Sequence, residues 1–373
     1  MRILRVAQKI YPEIKGGGPY HVHAMSRDQA AMGHDVTVLT VRRDDTTPRR
    51  EERDGYTVVR HDPTASLLGN EISIGLAREL WGAEDFDVVH AHSHLYFSTN
   101  VAALQRQLGE TPLAITNHGL YSQSAPNRLF ELYLKTLGRW TFNRADVVFT
   151  YTEEERDVLR ERGVKSAIEV VQNGIDQERF APDGSESDML DGDGPVVLFV
   201  GRLVDGKRPQ DAVRATAQLV ERYPSMTLVV VGDGALREDL EVKVAEAGLG
   251  ENVRFLGYVE YDAMPVLYRS ADVLMLPSES EGFPRTVMES LATGTPVVTS
   301  DLEQLQPITN IAGDSFAVGD VDGLVSSLEC LFDDEDERRA LGTAGRELIE
   351  VNYTWAETVR QTTDRLHRIV NEA

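Results

Sequence analysis

Two carboxylates, Glu281 and Glu289, bracket a Gly-Phe-Pro turn at 282–284 that follows a short apolar run and leads into residues of helical spacing, Val287, Met288, Leu291 and Ala292. Glu281 is therefore expected at the carboxyl end of a strand and Glu289 one to two turns into the next helix. That crevice is where open α/β sheets bind ligands, and a helix start favours an anionic partner. Paired carboxylates suggest general acid and base chemistry, and an ordinary solvated strand-turn-helix connection is the plainer reading. A second group, Arg202, Lys207 and Arg208, follows Gly201 in a chain of net charge −23. Arg202 can grip two oxygens with its planar fork while Lys207 acts as a point charge, a pairing suited to a diphosphate. Salt bridges to neighbouring carboxylates such as Asp205 are the alternative.

Three glycines, 16–18, precede a helix expected from about Tyr20, and leave the backbone N–H groups of Gly17 and Gly18 open to an anion or a sugar. They form neither a dinucleotide fingerprint nor a P-loop. His118 ends a strand at 113–116, at the rim where ligands bind, although a structural imidazole fits that place equally. His90, His92 and His94 alternate as on one strand face, but the strand is expected to end near His90, and no carboxylate or Cys completes a metal set. No metal site is expected. His21 and His23 point to different helix faces.

The elements that must carry these groups alternate. Short β-branched strands are expected at 3–7, 35–41, 56–60, 88–90, 113–116, 147–150 and 169–171, with helices between, the pattern of a covered parallel sheet. Turn formers and acids at 181–195 mark a linker, after which strands recur at 196–200, 227–231, 253–256, 273–276 and 297–299, with helices at 210–222, 236–247 and 285–292. The fold class is α/β, with two Rossmann-like, doubly wound domains, 1–180 and 181–353, and an amphipathic C-terminal helix within 354–373 whose partner is not legible.

Composition sets limits. With 41% hydrophobic and 27% charged residues and no long apolar run, the chain reads as globular and cytoplasmic, without a membrane span or secretory leader. The 61 acidic residues oppose nucleic-acid binding. An acidic, Lys-poor surface suits strong salt, so a halophilic source is expected. Cys330, the one cysteine, is expected buried on the face of Leu324, Leu328 and Leu331. The basic, aromatic island 128–144 reads as a core-facing helix with snorkelling cations, or as a peripheral contact with a membrane surface or lipid-linked acceptor.

Glu281-Gly-Phe-Pro and Glu289, followed by Ala292-Thr-Gly-Thr-Pro-Val-Val298, resemble the Glu-x7-Glu signature of the retaining family 4 glycosyltransferases. The resemblance runs through Gly17-Gly18 with His21-Val22, Gly33-His-Asp-Val36, Asp87-Val-Val-His-Ala-His92, Asn173-Gly-Ile-Asp176, Gly201-Arg-Leu with Lys207, Gly232-Asp-Gly234 and Phe255-Leu-Gly-Tyr-Val259. It implies a GT-B arrangement, two domains facing across a cleft, the second holding a nucleotide diphosphate sugar and the first the acceptor, with the C-terminal helix crossing back to the first domain. It further implies that Glu289 binds ribose, Arg202 and Lys207 the diphosphate, Glu281 with Gly282, Phe283 and Pro284 the transferred sugar, and Tyr258 and Val259 the base. Gly17 and Gly18 would approach the phosphate, and His118 the donor sugar. No cofactor or metal is implied; the donor is a substrate, and the partner is a glycan or lipid-linked acceptor, with peripheral attachment at the inner membrane face as a corollary. Two departures stand out: Arg208-Pro209 where the family often has Gly after the Lys, and Asp301-Leu-Glu-Gln-Leu-Gln306 where it often has Gly-Gly. A nucleotide-sugar epimerase and an inactive sugar-binding or partner subunit are the other readings.

Overall fold

The computed structural model describes residues 1–67, 69–120, 127–185, 187, 194–281 and 284–373. The chain divides into two compact units, 1–172 with 357–373, and 173–356.

In the first unit the strands are β1 (Arg2–Val6), β2 (Asp35–Val41), β3 (Arg50–Arg53), β4 (Tyr56–His61), β5 (Ala65–Leu67), β6 (Asn70–Ile72), β7 (Val88–His92), β8 (Leu113–Thr116), β9 (Val147–Thr150) and β10 (Ala167–Val170). Eight of them form one sheet in the order β10-β9-β8-β7-β1-β2-β4-β3. All neighbours are parallel except β3, which runs antiparallel to β4. The chain winds outward from β1 through β2 and β4, then returns to β7 on the other side of β1 and continues through β8 to β10. The order reverses between β1 and β7, so the loops after these strands flank a crevice at the carboxyl edge. β5 and β6 form a separate antiparallel pair.

The second unit repeats the plan with β11 (Val196–Val200), β12 (Thr227–Val231), β13 (Val253–Gly257), β14 (Val273–Leu276), β15 (Val297–Ser300) and β16 (Gly313–Phe316). Their order is β13-β12-β11-β14-β15-β16, reversing between β11 and β14. β12 is buried at every position, as an apolar run covered on both faces must be. Gly232 and Gly234, just after it, are required by close approach. A Cβ on Gly232 would lie 1.9 Å from the Gly201 carbonyl oxygen, and one on Gly234 2.4 Å from that of Leu203. These glycines let the loops after β11 and β12 touch.

The C-terminal helix runs Trp355–Glu372, and Leu366 and Ile369 enter the core of the first unit with Ile3, Val36 and Val58. Its amphipathic face, unpartnered in sequence, thus belongs to the N-terminal sheet. Several expectations are corrected. The first helix starts at Gly17 and not near Tyr20, with Gly16 at its cap (φ 131°), because three glycines cost no steric strain there and Pro19 fits the first turn. β7 runs on to His92. Cys330 is exposed: the buried stripe of its helix is Leu324, Ser327, Leu328 and Leu331, and the position before Leu331 turns about 100° away from it. Within 128–144, Phe130, Leu134 and Phe142 face the core, while Leu132 and Leu137 are exposed.

Candidate functional site

The second unit gathers its charged groups at the carboxyl edge of β11 and β14, the strands flanking the switch. Lys207, in a short 3-10 turn after β11, donates from Nζ to Glu281 Oε1, in the loop after β14. Glu281 is nearly enclosed, its side chain 8% exposed. Lys207 is thus ion-paired to a carboxylate, as the alternative reading expected, although the partner is Glu281, the carboxylate singled out by spacing, and not Asp205. Arg208 is not an additional free cation. It takes the left-handed conformation (φ 49°) and gives its guanidinium to Asp211, at 2.6 Å, and Glu279, at 2.9 Å. Arg202, by contrast, is exposed and has no side-chain partner among the described residues. A local positive site therefore persists in this loop.

Glu289 sits inside the helix Arg285–Ala292 and is 4% exposed. Tyr261 donates to its Oε1 at 2.9 Å and Tyr268 to its Oε2 at 3.0 Å. Arg285, one turn before it, lies 3.5 Å from Oε1 and donates to the Tyr261 hydroxyl at 2.9 Å. Burial pushes the Glu289 carboxyl above its ordinary range, against the opposing pull of Arg285 and the two phenols. Oε1 already faces Tyr261 and Arg285, whereas Oε2 meets only the Tyr268 hydroxyl among the described residues, so the group is rigid and keeps acceptor capacity on Oε2. Such a carboxylate is a costly choice for mere packing. Pro284 caps the helix with φ −74°. Tyr258, just after β13, is 42% exposed, and Val259 packs at the edge of the core. Gly282 and Phe283 lie outside the described residues.

In the first unit, Gly17 and Gly18 occupy the first turn of their helix, where N–H groups have no intrahelical acceptor. A Cβ on Gly18 would lie 3.8 Å from the His118 ring, so these two sites adjoin. His118 is held at both nitrogens: Nδ1 lies 2.8 Å from the Tyr151 hydroxyl and Nε2 3.0 Å from His92 Nδ1. The His21 ring meets it edge-on, 5.2 Å between centroids. Behind His92, His90 packs at 4.5 Å and contacts the wholly buried Arg5 at 3.3 Å. Arg5 is anchored by Ser26 and Gln29, and Gln29 reaches Thr363 of the C-terminal helix. Burial pushes His118 down to about 4 and holds His90 and His92 well below the ordinary imidazole range, with Arg5 adding to the effect on the latter two. All three are neutral at pH 7. His94 leaves this row, since Ser93 (φ 65°) turns the chain; it packs on Phe142 and pairs with Asn117 at 3.1 Å. His90, His92 and His118 form a packed row in which His92 and His118 share a hydrogen bond, and no cluster of metal-ligating groups occurs among the described residues.

Sequence spacing located Glu281, Glu289, Lys207, Arg202 and His118, and Arg285 was accessible as the i−4 neighbour of Glu289. Tyr261, Tyr268 and Tyr151 were missed. They come from other strands' loops and helices, and no local pattern marks them.

Two doubly wound units with ligand-type groups at each switch point define the class, and solved structures agree. The chain superposes on sucrose-phosphate synthase from Thermosynechococcus elongatus with a TM-score of 0.85 at 24% identity, each chain covered in full (100%). The fold is that of the GT-B glycosyltransferases. Residues 15–179 match the family model described as Glycosyltransferase Family 4, and 184–348 that of Glycosyl transferases group 1. Relatives include a D-inositol 3-phosphate glycosyltransferase of Acidothermus cellulolyticus, 32% identical over 89% of this chain and 78% of that protein. A glycogen synthase of Mycobacterium tuberculosis is 29% identical over 98% of this chain and 94% of that protein. The chain belongs to the family 4 glycosyltransferases. In the described residues no helix is long and apolar enough to cross a membrane.

Proposed function

We propose that this glycosyltransferase moves a hexose from a nucleotide diphosphate sugar to a glycan or lipid-linked acceptor, with retention of anomeric configuration and without a metal. The observation that carries the proposal is the Lys207–Glu281 pair at the carboxyl edge of β11 and β14, with the exposed Arg202 in the same loop. A diphosphate competes with Glu281 for Lys207 and finds Arg202 already available, which frees the carboxylate to accept hydroxyl donors of the sugar. Glu289, pinned by its two phenols, receives the ribose hydroxyls, and Tyr258 and Val259 lie by the base. Pro284, which caps the next helix, completes the sugar's surroundings. In the first unit Gly17 and Gly18 serve the phosphate, and His118, its ring nitrogens engaged by Tyr151 and His92, lies by the donor sugar as a neutral imidazole.

Cleavage of the bond from anomeric carbon to phosphate builds positive charge on the sugar and negative charge on the leaving diphosphate. Fixed cations at the phosphate favour that transition state, and they take the place a divalent ion would have. Glu281 and Glu289 are both engaged as hydrogen-bond acceptors, which favours a short-lived ion pair attacked on the face the leaving group vacates. The exposed Leu132 and Leu137 with Lys135 and Arg139 give the segment after 127 an amphipathic outer surface, suited to a lipid-linked acceptor at a membrane.

Incubation with UDP-glucose, ADP-glucose and GDP-mannose, with and without glycan acceptors, tests the reading. Free nucleoside diphosphate is expected from at least one donor. An altered sugar still on its nucleotide would instead make the protein an epimerase, and binding without turnover would make it a partner subunit.

A further inference from the structure

Three neighbouring strands of the second unit, β11, β14 and β15, send their carboxyl-end loops to a single residue. Glu281 offers its carboxylate to Lys207 from the β11 loop, and its main-chain carbonyl accepts Gln304 Nε2, from the β15 loop, at 2.6 Å. The two contacts are independent: one fixes the side chain and the other the peptide. Gln304 is itself well placed for this. Leu305 beside it is 1% exposed and locked in the core, the Asp301 N–H bonds the Phe316 carbonyl at 2.7 Å, and Gln306 closes the loop on Asp301 at 2.9 Å. Only the tip of the loop is left to reach across. The segment 301–306 contains no glycine, so the bridge is made by a side chain held on a stiff loop rather than by a flexible backbone.

We infer that Gln304 is a positioning residue that holds the Glu281 loop against the donor's sugar ring and thereby helps set which nucleotide hexose the protein accepts. The inference rests on the assignment of Glu281 to the transferred sugar. Its chemistry is simple. A carbonyl drawn to Gln304 keeps the Glu281 peptide in one orientation, so the carboxylate released by Lys207 meets hydroxyls at one place only. Hexoses differing in the configuration of one hydroxyl are then told apart by whether that hydroxyl finds its partner.

The test compares wild type with Gln304→Ala and Gln304→Glu, the latter keeping the side chain's shape while removing its N–H donor. The probes are UDP-glucose, ADP-glucose and GDP-mannose, each set against its free nucleoside diphosphate, with binding read by calorimetry and turnover by diphosphate release. Loss of one neutral hydrogen bond predicts about a 2- to 13-fold weaker sugar nucleotide. Affinity for the free diphosphate should change less than about twofold, and preference among the three donors should narrow. Equal weakening of both ligand types, or an unchanged donor preference in both variants, would overturn the inference and leave Gln304 a structural residue. A wild-type protein that binds no sugar nucleotide more tightly than its bare diphosphate would overturn the assignment of Glu281 itself.

Discussion

At the scale of single residues, Lys207 and Arg202 share one proposed role but differ in what they touch, and the difference can be measured. Removing either is expected to lower turnover by about 10² to 10³, the scale for one electrostatic group acting on a transition state. Arg202 has no side-chain partner among the described residues, so Arg202→Ala should leave the melting temperature unchanged. Lys207→Ala strands the nearly enclosed Glu281 carboxylate and should lower it as well. Unchanged kinetics in both variants would remove the diphosphate assignment. Glu289→Ala should weaken nucleoside diphosphate binding by roughly 1.5 to 3 kcal/mol, the range for hydrogen bonds to a charged group. Equal affinity in calorimetry would contradict its ribose role. The structure also changes how this pair of carboxylates is understood. Glu289, held by Tyr261, Tyr268 and Arg285, is built to stay still and accept hydrogen bonds, while Glu281 is held by a cation that a substrate can draw away.

At the scale of elements, β7 and the loops after β7 and β8 pack buried neutral imidazoles into the first unit, and stability should reflect it. His90 and His92 are held well below the ordinary range, His118 at about 4 and His94 at about 3, all chiefly by burial. The unfolded chain binds these protons near pH 6.5 and the folded one does not. Their contribution is thus fully present above about pH 6.5 and is lost as pH falls, at up to about 1.4 kcal/mol per group and pH unit. Glu155 and Glu289, raised by burial, act in the opposite sense, since the folded state takes up their protons first. With His23 and His34 also lowered by burial, six imidazoles against two carboxyls predict a falling melting temperature between pH 7 and 5, above the range where ordinary carboxylates titrate. A flat profile there would contradict the buried row. The elements themselves were unevenly legible in sequence. The apolar runs at 227–231 and 273–276 announce central strands because both of their faces are covered. β3, reading Arg-Glu-Glu-Arg, and β16, reading Gly-Asp-Ser-Phe, are edge strands with few buried positions, so no hydrophobic pattern betrays them. Likewise Glu289 was visible by spacing, but Tyr261 and Tyr268 reach it only through the fold.

At the scale of the whole molecule, a net charge of −23 means that the native chain repels itself in dilute buffer. In molar salt the screening length shrinks to about 3 Å, so a protein adapted to such conditions should melt at higher temperature as KCl rises to multimolar levels. A melting curve with no such stabilisation would remove the halophilic reading. Family membership and the GT-B fold rest on matches that span nearly the whole chain, whereas the stereochemistry and the donor are proposals. The most direct measurement of the central claim is proton NMR of the wild-type protein turning over a nucleotide hexose in the presence of a glycan acceptor. The account predicts free nucleoside diphosphate appearing together with a new anomeric signal of the same configuration as the donor's. A product of inverted configuration, or a donor left intact across the whole panel, would contradict it.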